Sequence, residues 1–392
     1  MANATVTDSV GTLGWRINDE VTQLREWASE RVHPLPLRRG DTWTIGSANG
    51  CWLRLEDPEL RVSRKHAQLT YEPPEGWTLA DLQSKNGLLL DGTPRVSFPL
   101  KPGAEVAIGG ITLIAESPLL CVLRDVLARL IGWSAERRAD VDVALRAVRR
   151  AATLHEPLLL SAGAGHRSIA RLLHRHLIGT DRPFIVCERR KPVPKRTGQK
   201  AAPVRAATTY ERGLVALTAA NGGTLVVWKN RLPEDFNKVL LALRAPNPRV
   251  LLILCSQTPP QGTETATQLV VPSLAGRSRE LRRIIDECAT EAVAELGGAL
   301  TPDDRRWIAQ QAKTFAAIQT ATRRLIALRA AGCSVKRAAK QLGIAHGTLS
   351  VWVARRDLPE LRGARDDDDE EDDDDDEDCE DDDECLDDND GE

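Results

Sequence analysis

Two short segments of this 392-residue chain carry side chains suited to holding a doubly charged anion. The first is Ser63-Arg64-Lys65-His66, and the second, Lys85-Asn86, lies in a polar segment that begins at Asp81. A phosphorylated side chain presents nearly two negative charges and three acceptor oxygens, so a site for it needs a hydroxyl and cations on well-positioned loops. Together the two segments supply these groups, with the hydroxyl on Ser63 and the cations on Arg64, Lys65 and Lys85.

The elements that must hold these loops are short runs of alternating apolar residues separated by turn-rich clusters such as SANG, EPPEG, SKNG and DGTP. The runs are TWTIG, CWLRL, HAQLTY, WTLAD, GLLL, EVAIG and ITLIAE. Regular short strands with turns between them predict a β-sandwich, here over residues 31–117. Residues 1–30 are then an N-terminal extension.

The two polar segments, with Gly46 upstream and Asp91-Gly92 downstream, make this region resemble the forkhead-associated (FHA) domain, a β-sandwich that reads phosphothreonine. The resemblance implies a phosphothreonine-containing protein as partner and assigns a role to each residue. Ser63 and Arg64 would hold the phosphate, Lys85 would add charge, Asn86 would bond the peptide backbone after the phosphothreonine, and His66 would orient the loop from beneath.

One position departs from the FHA pattern. The family usually has Arg directly after the glycine at Gly46, and this chain has Ser47. Losing one charge-assisted bond to phosphate costs roughly 1.5–3 kcal/mol, or about ten- to a hundredfold in affinity, unless another cation compensates. The alternative is a sandwich kept only as a protein-docking module.

Residues 118–290 contain a long helical stretch, a strand LHEPLLL, the glycines Gly163 and Gly165, and a helix SIARLLHRHL. Strand, glycine turn and helix is the layout of a phosphate-binding loop. That loop follows the pattern GxxxxGK[ST], in which backbone amides wrap the phosphates and Lys neutralises the outer ones. Here Leu160 stands at the first glycine position and His166 at the lysine position.

The surrounding segments ARLLH, RPFIV and NGGTLVV resemble the AAA+ ATPase domain of bacterial enhancer-binding proteins, which activate sigma-54 polymerase. Trp228 and Lys229 stand where that family has its metal-binding acidic pair, and neither side chain can hold Mg²⁺. The loop that engages the sigma factor is also replaced by a basic stretch, 189–205. We therefore expect a degenerate α/β domain that is not an enzyme, takes no cofactor and is retained for assembly.

The sequence of residues 300–362 predicts a helical DNA-binding domain. Thr301 and Pro302 begin a long amphipathic helix that runs to Gly332. Ser334 then caps a short helix, VKRAAKQL, and a third helix begins near residue 346 after a turn at Gly343. This is helix-turn-helix geometry, and AAKQLGIAHGTLSVWVARRDLP resembles the Fis-type domain that ends enhancer-binding proteins.

The resemblance and the geometry together assign the contacts with DNA. The third helix would read base edges in the major groove, and basic residues on either side would bind the phosphate backbone. The stretch 321–362 carries a net charge of +7, as contact with phosphates requires. The groove-facing residues are His346, Gly347, Thr348, Ser350 and Val351, and the backbone-facing residues are Lys336, Arg337, Lys340, Arg355 and Arg356. The alternative is a helical cap or dimerisation bundle with a solvated basic face.

The net charge of −4 conceals a strong asymmetry along the chain. Residues 366–392 include 22 Asp or Glu and no Lys or Arg, so the rest of the chain is +18. Composition predicts that residues 363–392 are a disordered acidic tail. Such a tail either keeps the protein soluble or mimics DNA and folds back on the basic helices or on the stretch 189–205.

Cysteine spacing and hydropathy exclude metal-binding and membrane-spanning proteins. The eight cysteines are scattered without metal spacing, and no apolar run is long enough to span a membrane, so we expect a cytoplasmic protein without a metal site. The interpretation we favour is a homodimeric bacterial transcriptional regulator, partnered by DNA and by a Ser/Thr kinase or RNA polymerase. The alternatives are a phosphopeptide-docking adaptor and, less favoured, an active sigma-54 activator.

Overall fold

The structure is a computed structural model that describes residues 17–36, 42–73, 76–163, 165–188, 209–244, 249–263 and 266–359. Two compact units divide the chain. The first comprises Met1–Ser161, Ala170–Arg189 and Thr209–Val270, and the second comprises Ala162–Ile169, Arg190–Thr208 and Val271–Glu392. The predicted basic stretch 189–205 and the acidic tail lie outside the described residues.

The first unit opens with two mostly antiparallel sheets. One sheet has the order β2-β1-β11-β10-β7-β8, and the other has the order β4-β3-β5-β6-β9. Their strands are β1 Gln23–Glu26, β2 Val32–Pro34, β3 Thr42–Gly46, β4 Leu53–Arg54, β5 Ala67–Glu72, β6 Gly76–Asp81, β7 Leu88–Leu90, β8 Thr93–Arg95, β9 Ser97–Pro99, β10 Glu105–Ile108 and β11 Ile111–Glu116. Within the second sheet, the short pairing of β3 with β4 is parallel.

Alternation of apolar and polar residues explains why these strands stack into a sandwich. Ile45, Leu69, Leu79, Ile108 and Leu113 come from both sheets and are at most 1% exposed, whereas residues between them along the strands are more exposed. The sandwich begins earlier than the sequence pattern predicts. Strand β1 pairs with β11, so the boundary expected at residue 31 lies inside the fold.

Two helices follow the sandwich within the first unit. They are α1 Pro118–Ile131 and α2 Arg138–Leu154, so the helical stretch predicted here is interrupted. The Ser117 side chain caps α1 by accepting the Leu120 N–H, and Gly132, with φ 139°, ends it. Glycine adopts that conformation without the steric cost of a Cβ, which is why the chain turns there.

A buried ionic cluster joins the sandwich to these helices. Arg25 on β1 donates from Nε to Glu116 at 2.7 Å and from Nη2 to Asp142 on α2 at 2.5 Å. All three side chains are at most 3% exposed. Arg124 on α1 also pairs with Glu116. Burial alone raises the pKa of Glu116, but the charges of Arg25 and Arg124 outweigh it and hold that pKa below its ordinary value.

The next part of the chain forms a six-stranded sheet of order β14-β13-β15-β16-β12-β17. The pairings among β12 to β16 are parallel, and the strands are β12 Leu158–Ala162, β13 Phe184–Cys187, β14 Thr209–Tyr210, β15 Thr224–Trp228, β16 Leu251–Cys255 and β17 Thr267–Val271. Helices α3 His166–Leu177, α4 Gly213–Ala219 and α5 Phe236–Leu243 come from the crossovers. Strands buried on both faces are nearly continuous apolar runs, as LLILC in β16 is.

The last described elements are helices α6 Leu281–Leu296, α7 Pro302–Gln311, α8 Phe315–Ala330, α9 Val335–Leu342 and α10 His346–Ala354. The single long helix predicted from Thr301 to Gly332 is therefore wrong. The Thr314 hydroxyl accepts the Ala317 N–H and starts a new helix, since a capping side chain satisfies an N–H that otherwise lacks a partner. Among the described residues, none of the helices has both the length and the apolar composition of a membrane span.

The Arg25 cluster gives a stability prediction. Replacing Arg25 by Leu leaves the buried carboxylates of Glu116 and Asp142 without their shared cation, so we expect the free energy of unfolding in urea to fall by about 3–5 kcal/mol. The control is Asp140→Asn, which removes the exposed Arg137–Asp140 pair and should cost less than about 1 kcal/mol. Equal effects of the two substitutions would show that the cluster does not tie the elements together.

Candidate functional site: the loop end of the sandwich and the C-terminal helices

The predicted anion-binding segments meet at one end of the sandwich. In the five-stranded sheet, Ile45 at the end of β3 pairs with Ala67 at the start of β5, and Ala67 pairs with Asp81 at the end of β6. The loops that leave β3 and β6 and the loop that enters β5 therefore lie at the same edge. The strand register alone brings Ser63 near Lys85.

His66 links two of these loops from inside the fold. Its ring is fully buried, Nδ1 accepts the Ser63 N–H at 3.0 Å, and Nε2 lies 3.0 Å from the Gly87 carbonyl oxygen. Because Nδ1 is an acceptor, Nε2 carries the proton and donates to that carbonyl. The Ser63 hydroxyl in turn accepts the Lys85 N–H at 3.1 Å. His66 therefore has the structural position that the resemblance implies.

Asn86 is exposed and tied to the loop before Ser63. Its Nδ2 donates to the Arg61 carbonyl at 2.7 Å. The Asp57 carboxylate holds the same loop by accepting the N–H groups of Glu59, Arg61 and Gly110, and these bonds lower the pKa of Asp57 against the effect of burial. The loop is thus closed by hydrogen bonds rather than left as a free connection.

Leu60, at the tip of this loop, is a feature that the sequence pattern did not reveal. Its side chain is 89% exposed and its φ is +53°, a conformation that disfavours residues other than glycine and asparagine. A strained, exposed apolar residue held in place by its surroundings is a common feature of binding sites. The one signal in the sequence is an isolated Leu within the charged run EDPELR.

Gly46 is required by a close approach of two backbones. A Cβ at this position would lie 2.3 Å from the Arg64 carbonyl oxygen, so any side chain would push the Ser63 loop away. The next residue, Ser47, donates from its hydroxyl to the Val62 carbonyl at 3.2 Å and from its N–H to the Ser63 carbonyl. Ser47 therefore supports the Ser63 loop but adds no charge.

Three cations lie on the two loops that meet at the Ser63 hydroxyl. Arg64 and Lys65 are on the loop that enters β5, and Lys85 is on the loop that leaves β6. Arg64, Lys65 and Lys85 are exposed, and none of them forms an ion pair with any residue that the structure describes. Arg61, on the loop before Ser63, differs from them because it pairs with Glu59. The loop end thus combines a hydroxyl, uncompensated positive charge and an amide, which is a set suited to a phosphorylated peptide.

The glycine turn of the α/β sheet has a different construction from a phosphate-binding loop. Strand β12 continues through the buried Leu160 to Ala162, and α3 begins at His166, so only three residues separate them. A Cβ on Gly165 would lie 2.6 Å from the Cβ of Ala316 in the first turn of α8. At the end of β15, the Lys229 ammonium donates to the Thr258 hydroxyl.

Helices α9 and α10 follow the predicted boundaries closely. The Ser334 hydroxyl caps α9 by accepting the Arg337 N–H, and Gly343, with φ +69°, ends the helix. The predicted DNA-facing residues differ in exposure. His346, Gly347, Val351, Lys336, Arg337, Lys340 and Arg355 are exposed, whereas Thr348, Ser350 and Arg356 are half-buried.

The inner side of α10 is fixed by aromatic packing. Trp352 is 5% exposed and makes an edge contact with Trp307 on α7, and the guanidinium groups of Arg324 and Arg356 lie over its ring. Trp352 is therefore a core residue. Gly347, Val351 and Arg355, spaced by four residues, form the outward stripe of the helix.

Solved structures similar to the chain match about one quarter of it. A structure from a study of phosphothreonine-dependent FHA domain interactions is 27% identical over 24% of this chain and 94% of its own, with a TM-score of 0.22. The FhaA FHA domain, complexed with an intracellular domain, is 29% identical over 24% and 96%, with a TM-score of 0.21. An FHA domain from Chlamydia trachomatis is 24% identical over 24% and 95%, with a TM-score of 0.22.

No curated protein matches the chain. The family model of the FHA domain matches residues 43–109, the segment that holds Gly46, both anion-binding loops and the strands between them. The family expected from those residues is confirmed for this segment. The sandwich of this protein contains an FHA domain at residues 43–109.

Proposed function

We propose that the protein is a bacterial transcriptional regulator that reads a phosphothreonine partner through its FHA domain and binds DNA through α9 and α10, without hydrolysing ATP. The partner is a protein phosphorylated by a Ser/Thr kinase, and RNA polymerase is a second candidate contact. The regulator acts as a homodimer, because dimers match the two-fold symmetry of DNA operators.

The observation that carries phosphothreonine recognition is the Ser63 hydroxyl among cations that lack acidic partners in the described chain. A phosphate placed there accepts from the hydroxyl and is neutralised by Arg64 and Lys85. Asn86 lies on the neighbouring loop with an amide suited to a peptide backbone, and the exposed Leu60 offers an apolar contact. Ser47 leaves this set one cation short of the usual FHA pattern.

Substitutions at two serines test this interpretation. Ser63→Ala removes the hydroxyl that would bond the phosphate. We expect binding to a phosphothreonine peptide library, measured by fluorescence polarisation, to be lost. Ser47→Arg restores the missing cation and should raise affinity about ten- to a hundredfold. The unphosphorylated library is the control. If Ser63→Ala binds as the parent does, the sandwich is a docking module that does not read phosphate.

Three features support an α/β domain that does not turn over nucleotide. The connection after β12 is too short to wrap a triphosphate, and α8 packs against Gly165 within that connection. His166 stands in place of the phosphate-binding Lys, and Trp228 and Lys229 stand in place of the metal-binding acids that phosphoryl transfer uses. We assign the domain the role of a scaffold for assembly.

Purified full-length protein should therefore show no ATP hydrolysis above a buffer control, measured by phosphate release with Mg²⁺ present. ATP should also leave its sedimentation velocity unchanged, since no ring assembles on the nucleotide. Turnover that a His166→Ala substitution abolishes would overturn the scaffold role and restore an active sigma-54 activator as the function.

The support for DNA binding is the exposed charge on α9 and α10. Lys336, Arg337 and Lys340 lie on α9, and Arg355 extends the outward stripe of α10. Each cation that neutralises a DNA phosphate releases counterions, which makes the affinity depend on salt. The exposed residues in the first two turns of α10 would contact the base edges. They are His346, Gly347 and Val351.

Titration with genomic DNA fragments at several salt concentrations tests this surface. Lys340→Ala should reduce the slope of log affinity against log salt by about one, the contribution of one phosphate contact. The matched control is Lys313→Ala, since Lys313 is exposed but precedes α8. If the parent enriches no discrete genomic sites on crosslinking, the phosphopeptide-docking adaptor becomes the better function.

A further inference from the structure

Helices α9 and α10 of the second unit carry positive charge that the described residues leave uncompensated. We use the name basic face for the four exposed cations on α9 and at the end of α10, which are Lys336, Arg337, Lys340 and Arg355. All four side chains are exposed, and none forms an ion pair within the described part of the chain. By contrast, Arg329 on the adjacent α8 pairs with Asp304 at 2.8 Å.

The last described residues lie within reach of this face. The Arg329 guanidinium donates to the Pro359 carbonyl at 2.9 Å. This bond holds the last described residue, five positions after the end of α10, against α8. The acidic residues begin at Asp366. Seven residues span at most about 25 Å, whereas helices of eight and nine residues are about 12–14 Å long. The first carboxylates are therefore tethered closely enough to reach the cations of the basic face.

We infer that residues 366–392 of the same chain dock on the basic face. The tail has 22 carboxylates and no Lys or Arg, and the face has four cations and no acidic partner among described residues. Charge complementarity of this kind needs no fixed geometry, so many registers of the tail satisfy it. Tethering raises the effective concentration of the tail to the order of millimolar.

The consequence for DNA rests on the proposed function. Nonspecific DNA binding has dissociation constants of about 10⁻⁴–10⁻⁶ M, so a tethered polyanion at millimolar effective concentration competes with it. A specific site, bound about 10³–10⁷ times more tightly, displaces the tail. The tail thus removes weak binding and leaves specific binding, which sharpens the choice of site.

Zero-length cross-linking of the full-length protein tests the docking without DNA. A carbodiimide activates a carboxylate, and the uncharged amine of a lysine in contact with it then forms an amide bond while the carbodiimide leaves as a urea. We expect the tail to be joined to Lys336 and Lys340 at low salt, and the yield to fall several-fold at high salt as the charges are screened. Lys313, exposed but outside the basic face, is the matched control and should give little product.

Two results would overturn the inference. One is cross-linking of the tail mainly to Lys191, Lys195 and Lys200, the lysines of the basic stretch 189–205, or equally to Lys313. The other is cross-linking between copies in a mixture of heavy- and light-isotope protein, which would make a second copy the occupant. The inference is also wrong if no cross-linked product of the tail forms at low salt.

A second variant separates this inference from the proposed function. In the full chain, Asn and Gln replace the Asp and Glu of residues 366–392, which keeps the length of the tail. We expect nonspecific DNA affinity at low salt to rise at least about tenfold. Unchanged affinity, in a protein that does bind DNA, would overturn the competition. A protein that binds no DNA in either form fails the proposed function while the cross-linking result stands.

Discussion

The buried pairing of Arg25 with Glu116 and Asp142 is the constraint on which the first unit depends. Arg25 lies on β1, Glu116 ends β11 and Asp142 lies on α2, so one guanidinium joins two strands of the sandwich and the helix after it. A buried ion pair contributes less net stability than its short distances suggest, because both charges lose their hydration. Its effect here is on specificity, since a displaced α2 would leave a charge buried without a partner.

The same logic explains how charge is distributed over the described chain. Arginines that build the fold are matched with acids, as Arg146 is with Glu105 and Arg149 with Asp91, and these pairs hold α2 on the sandwich. Arg64, Lys65 and Lys85 at the loop end, and the four cations of the basic face, have no such match among the described residues. Unpaired like charges that lie close together repel one another, and an anionic ligand bound beside them would relieve that repulsion.

Sequence patterns predicted the strands with clear alternation and the loops between them, including TWTIG for β3 and ITLIAE for β11. They did not predict β1, β2, β8 and β9, because each of these strands has too few apolar residues to show an alternating pattern and depends on pairing with neighbouring strands. Leu60 could not be predicted as a site feature either. Its importance comes from a positive φ and from Asp57, which holds the loop by hydrogen bonds, and neither is visible in a one-dimensional pattern.

In the α/β sheet, the residues that form the core are different from the residues at the ends of the strands. Leu159, Val227, Leu252 and Leu254 bury the sheet against its helices, and packing of this kind depends on volume and apolar surface. Trp228 and Lys229 stand at the carboxyl end of β15, the edge of a parallel sheet where ligands usually bind, and neither belongs to this apolar core. Packing and ligand chemistry therefore depend on different residues in a parallel sheet, so residues at the ends of the strands can vary without loss of core contacts.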